Sequence, residues 1–154
     1  MPLDFQSDAL PFEDGTLFGW ADQVQHQADL VRREKSLAAQ TRYFSGLQAE
    51  DSVARAYESR GAQLLQRRWR GKSGEIDLIF AQGADVIFVE VKASKTHDRA
   101  AARLSRRQLA RVSGAAMEYL ETQPKGSLTP MRIDAALVDQ IGEVQIMENV
   151  LLMG

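Results

Sequence analysis

The sequence predicts an α/β domain built on a mixed sheet, its elements running helix, three strands, helix, one or two strands. Three observations carry that expectation. Residues 74–92, GEIDLIFAQGADVIFVEVK, read as two strands around a tight turn, rich in β-branched and aromatic residues. Residues 45–60 and 103–121 bracket the strands with apolar residues at helical spacing. Residues 131–139, MRIDAALVD, return to strand character after a loop marked by Pro124, Gly126 and Pro130.

Taken in order, residues 1–41 are predicted to be an acidic leader, partly disordered or a helical extension, and 42–154 the domain proper. Pro2, Pro11, Gly15 and Gly19 punctuate the leader, and Val24, Ala28, Val31 and Ala38 recur loosely enough for a helix over 20–42. In 45–60, Leu47, Glu50, Ala54 and Tyr57 share a face, and Gly61 supplies a stop. Glu50 is an acid on an apolar face. It is either an edge residue paired with Arg55 or Arg60, or a carboxylate aimed at the sheet. Residues 62–70 read as a strand in which Arg67, Arg68 and Arg70, with Lys72 just beyond, surround Trp69. Cations interleaved with an aromatic suit a phosphate backbone, and equally suit a solvated sheet edge. Residues 93–102 are expected to be a polar connector. In the helix predicted at 103–121, Leu104, Leu109, Val112, Ala116 and Leu120 share a face. Arg99, Arg103, Arg106, Arg107 and Arg111 adjoin its start, with Gln108 among them. Positive charge there opposes the helix dipole, which hints at an anionic partner. Residues 143–152 supply a last short strand.

The hairpin concentrates the chemistry. If it closes around Gln82-Gly83-Ala84-Asp85, then Ala81 faces Val86, Ile79 faces Phe88, Asp77 faces Glu90 and Glu75 faces Lys92, all on one side. Both strands are also apolar on the other face, so the sheet is expected to be covered twice. Carboxylates at the end of such a sheet are costly to desolvate unless paired or metal-bound. Mg²⁺ takes oxygen ligands, commonly one or two carboxylates plus substrate phosphates, and Lys92 beside them could orient a water or stabilise negative charge. A solvated sheet end with a cross-strand Glu75–Lys92 pair fits the same spacing.

Composition excludes several classes. The 154 residues are 44% hydrophobic and 26% charged, ordinary for a globular domain. Without cysteine there is no disulfide framework, zinc–thiolate site or Cys nucleophile, and His26 and His97 make no His-rich motif. No apolar run approaches the roughly 20 residues that span a bilayer, and the acidic N-terminus does not resemble a signal peptide. A cytoplasmic protein with no membrane partner is expected. The net charge of −2 conceals an asymmetry: six acids and no Lys or Arg in residues 1–31 leave 32–154 at +4.

Two patterns carry a resemblance. Asp77, a gap of twelve residues and then Glu90-x-Lys92 resembles the PD-(D/E)xK nuclease superfamily, whose restriction-endonuclease-like core has the element order given above. More specifically, GLQAEDSVARAY with Gly61, GEIDLI at 74–79, FVEVK at 88–92, RRQLARVSGAAMEYL at 106–120 and MRIDAALV at 131–138 resemble the YraN-like family of predicted endonucleases. The likeness covers about 42–152 and not 1–40. It implies that Asp77 and Glu90 bind Mg²⁺ or Mn²⁺, that Glu50 completes the acidic set, and that Lys92 positions the hydrolytic water. Ser94 stands where the family usually has a basic residue, with Lys95 next. The activity implied is metal-assisted phosphodiester hydrolysis, with Arg67, Arg68, Arg70, Lys72, Arg103, Arg106, Arg107 and Gln108 gripping nucleic acid, DNA in the first place. A homodimer is attractive because a resolving-type nuclease acts on two strands. A nucleic-acid-binding module of the same fold without turnover, and an interaction protein docking through its leader, are the alternatives.

Overall fold

The structure, a computed structural model, describes residues 16–153; the part of the predicted leader before Thr16 lies outside them. The chain divides into two compact units, Met1–Tyr43 and Phe44–Gly154, and helix α1, Thr16–Ser59, contributes to both. The stretch 20–42 is helical, and Arg32 pairs with Asp29 one turn earlier at 3.0 Å. Its Trp20, Val24 and Leu37 are exposed.

The second unit contains β1 Gln63–Arg70, β2 Glu75–Gln82, β3 Asp85–Ala93, α2 His97–Ala102, α3 Arg106–Leu120, β4 Met131–Val138 and β5 Val144–Met147. The five strands lie in chain order, antiparallel except for β3 and β4, which run parallel. The crossover between those two carries α2 and α3. This is the mixed sheet and element order expected from the sequence.

Alternation along the strands serves two cores. Ile79, Val86, Phe88 and Ile133 pack with Val112, Ala115, Ala116 and Leu120 of α3. The intervening Leu78, Phe80, Ile87 and Val89 pack with Ala49, Val53, Ala54 and Tyr57 of α1. Each fully buried Ile, Leu or Phe contributes about 1.5–3 kcal/mol, so the faces hold the helices firmly. Helix α1 ends in a paired cap, with Gly61 N–H donating to the Glu58 carbonyl and Ala62 N–H to that of Tyr57, closed by Gly61 at φ 89°.

The hairpin turn falls at Gln82–Asp85 as the spacing predicts, with Gly83 at φ 61°. The ladder beyond it differs from expectation. Pairing of β2 with β3 stops at Leu78–Val89, so Asp77–Glu90 and Glu75–Lys92 are not ladder partners. The reason is local: an Asp77 carboxylate oxygen accepts the Val91 N–H at 2.8 Å, replacing a strand–strand bond. The β1–β2 ladder likewise pairs Arg67 with Leu78 and Trp69 with Ile76 but nothing with Arg68, whose φ is 51°. Ile76 and Ile79 consequently enter the same core although three positions apart, so the two-residue alternation slips at Asp77.

Two further expectations are corrected. The connector 93–102 contains α2, capped by the Thr96 hydroxyl, which accepts the Arg99 N–H at 3.1 Å. Helix α3 begins only at Arg106, where Ser105 accepts the Gln108 N–H at 3.1 Å. These caps place Arg99 on α2 and Arg103 at its C-terminus, not on α3. Trp69, grouped with the cations above, meets Tyr119 edge-on at 5.4 Å and packs against the core.

Asp134 is the most buried charge. It accepts the Tyr57 hydroxyl at 2.7 Å, the Arg132 guanidinium at 3.0 Å and the Asn149 N–H at 3.0 Å, tying α1 and the segment after β5 to β4. No described helix is long and apolar enough to cross a membrane.

Candidate active site

The slip at Asp77 opens a cavity of about 320 Å³ between β2, β3 and α3, walled by Glu75, Asp77, Glu90, Gln108 and Arg111. Asp77 and Glu90 come from adjacent strands and face it together. Lys92 lies two residues beyond Glu90, and its Nζ sits 3.3 Å from Glu90 Oε1. The same oxygen accepts a hydrogen bond from Gln108 Nε2 at 2.6 Å, so α3 fixes the carboxylate that β3 presents.

The two acids resist being charged together. Burial, then repulsion from Glu90, pushes the Asp77 carboxyl up to about 7, while the Val91 N–H and Lys92 pull the other way and the charge on Glu50 adds to the push. Burial raises Glu90 as well, opposed first by Lys92. With a single ammonium beside them, ionising both carboxylates would leave net negative charge in a partly desolvated site.

Glu50 reaches the neighbourhood from α1. Its side chain is 10% exposed, and Arg68 donates to both its oxygens, Nε to Oε1 and a terminal nitrogen to Oε2, each at 3.2 Å. Among the described residues, no three Asp, Glu or His side chains are grouped closely enough to enclose a metal ion. A hard cation at this point would have at most the two carboxylates of Asp77 and Glu90 and would complete its shell with water and phosphate.

The residues expected to contact nucleic acid are distributed more widely. Arg67 pairs with Asp51 at 2.9 Å and Arg70 with Glu75 at 3.0 Å. Lys72 is exposed, on a loop whose Lys72 and Ser73 N–H groups both donate to Glu118 of α3. Arg103 donates to the Ala93 carbonyl at 2.7 Å. Arg106 and Arg107 are exposed on the first turn of α3. Of the group, Gln108 is brought to Glu90 and Arg68 to Glu50. Arg111, noticed in the sequence merely as one cation in a run, lines the cavity. Its position three residues after Gln108, on the same helical face, was the available signal.

An α/β core of the restriction-endonuclease-like class, with paired acids and a lysine at a break in the sheet, is the type of protein defined so far. The model of the uncharacterised protein family UPF0102 matches residues 49–138. The chain is 55% identical over 113 residues to a UPF0102 protein of Cereibacter sphaeroides, covering 73% of this chain and 97% of that one. It is 53% identical over 107 residues to one from Ruegeria pomeroyi, covering 70% and 87%. Against a relative from Dinoroseobacter shibae it is 42% identical over 130 residues, covering 84% and 96%. The chain belongs to the UPF0102, or YraN-like, family.

Proposed function

We propose that the chain is a metal-dependent endonuclease that hydrolyses phosphodiester bonds in nucleic acid. The observation that carries this is the pair of desolvated acids, Asp77 and Glu90, facing an open cavity beside Lys92. Mg²⁺ or Mn²⁺ held there, with Glu50 alongside as the third acid, would supply Lewis-acid polarisation of the phosphate and an activated water. The chain's own groups do the rest. Gln108 holds Glu90 in its rotamer. Lys92 orients the attacking water or stabilises charge on the phosphate oxygens. Arg111 on the cavity wall, with Lys72, Arg106 and Arg107 at greater distance, attracts the backbone without reading sequence.

The test is a panel of single-stranded, duplex, flap and four-way DNA and RNA substrates incubated with Mn²⁺ or Mg²⁺. The expected outcome is metal-dependent cleavage of at least one, reduced by about 100-fold or more in Lys92→Ala. Cleavage by neither metal on any substrate, or equal cleavage by Lys92→Ala, overturns the proposal. Retained binding in a gel shift would then favour a module that holds nucleic acid without turnover.

A further inference from the structure

Glu50 and Arg68 form an ion pair through two hydrogen bonds near the acids, from a position where the backbone of Arg68 leaves the usual strand conformation. Arg68 falls between Arg67, opposite Leu78, and Trp69, opposite Ile76, so it occupies the strand position beside Asp77. Its φ of 51° takes it out of the ladder. That conformation is costly for a long side chain and is retained only where the surroundings enforce it. The guanidinium meets both oxygens of Glu50, one contact at each, at 3.2 Å. A delocalised cation gripping a buried carboxylate through two parallel bonds leaves that carboxylate little capacity for another cation.

We propose that Arg68 stands in for a second divalent ion. It neutralises Glu50 internally, and the centre accepts one metal ion per chain, at Asp77 and Glu90. This deepens the metal-dependent reading given above and rests on it. It departs from the ligand role that family resemblance implies for Glu50, because both oxygens of that carboxylate are committed to the guanidinium.

Mn²⁺ binding to the intact chain, followed by calorimetry and by the electron paramagnetic resonance of free Mn²⁺, tests this without reference to turnover. The wild type should bind one ion. Glu50→Gln should still bind one ion, weakened only by the bared charge of Arg68 and by less than about fivefold, whereas Asp77→Asn or Glu90→Gln should weaken binding by at least about tenfold. Arg68→Asn, in which Asn tolerates positive φ, frees Glu50 and should bind a second ion, lost again in Glu50→Gln/Arg68→Asn. Two ions in the wild type, or a tenfold loss on Glu50→Gln, overturns the proposal while leaving the metal reading intact. One ion of unchanged affinity in a folded Arg68→Asn does the same. No ion bound by any variant overturns both. Should Arg68→Asn fail to fold, the comparison of Glu50→Gln with Asp77→Asn decides alone.

Discussion

At Asp77 one backbone N–H, from Val91, compensates a carboxylate that is otherwise desolvated and repelled by Glu90. Its folded-state value near 7 lies above the unfolded 3.8, so folding favours the protonated form. That contribution is fully present below the unfolded value and is lost as pH rises from about 4 through 7. Asp77→Asn keeps an acceptor for Val91 and removes the charge. In EDTA it should therefore be more stable than the wild type at pH 8, by up to about 4 kcal/mol, and no more stable at pH 4; a difference independent of pH would refute the assignment. Asp134 is a different case, because hydrogen bonds from Tyr57, Arg132 and Asn149 engage both its oxygens. Asp134→Ala leaves the buried Tyr57 hydroxyl without its acceptor and Arg132 with Glu148 at 3.6 Å as its remaining ion pair, and urea unfolding should show a loss of about 3 kcal/mol or more. Asp77, Glu90 and Lys92 stood out in the sequence as charges in an otherwise apolar hairpin, although the alternation assumed there breaks at Asp77. Asp134 did not, since the Tyr57 hydroxyl that satisfies it comes from 77 positions away. The engagement of Arg68 with Glu50 was equally hidden, as it depends on a positive φ that no neighbouring residue announces.

Helix α3 and the loop before β2 form one assembly. Glu118 accepts the Lys72 N–H at 2.8 Å and the Ser73 N–H at 2.9 Å, and those donors hold its carboxyl below the usual range. A Cβ at Gly114 would lie 2.8 Å from both side-chain atoms of Ser73, so the helix and loop touch because glycine is there. In an exposed helix Gly→Ala gains up to about 1 kcal/mol. Here Gly114→Ala should instead lower the melting temperature by several degrees, and Ser73→Gly in the same chain should restore it. A rise in the single variant would show that the loop yields freely. The helical character of 45–60 and 103–121 was recognisable from periodicity, although the first is the end of a helix unbroken from Thr16 to Ser59, and the turn at Gly83 was recognisable from its chemistry. The start of α3 was misplaced because Thr96 and Ser105, the capping residues, sit in a stretch whose polarity reads equally as loop. The clamp itself leaves no trace in sequence, for Glu118 looks like any acid on a helix flank.

For the whole molecule, both apolar clusters lie within Phe44–Gly154 and draw on α1 only from Ala49 onward. A chain beginning at residue 42 should therefore unfold cooperatively within about 5 °C of the full-length protein and bind Mn²⁺ equally well; a non-cooperative melt would show that the leader belongs to the fold. The mixed sheet was legible in outline, since hairpins announce themselves through short turns. Which pair runs parallel was not, because that choice is made by helix packing across the crossover. The parallel ladder has a temporal consequence as well. Every pair in it, from Val86 with Met131 to Ala93 with Val138, joins positions 45 apart, whereas the β1–β2–β3 meander closes through nearby contacts. Nascent chains can zip the meander early, but β4 docks only after α3 has been synthesised and folded back. Asp77 and Glu90 are thus brought together in a young, wet sheet, and lose much of their water when α3 folds over them.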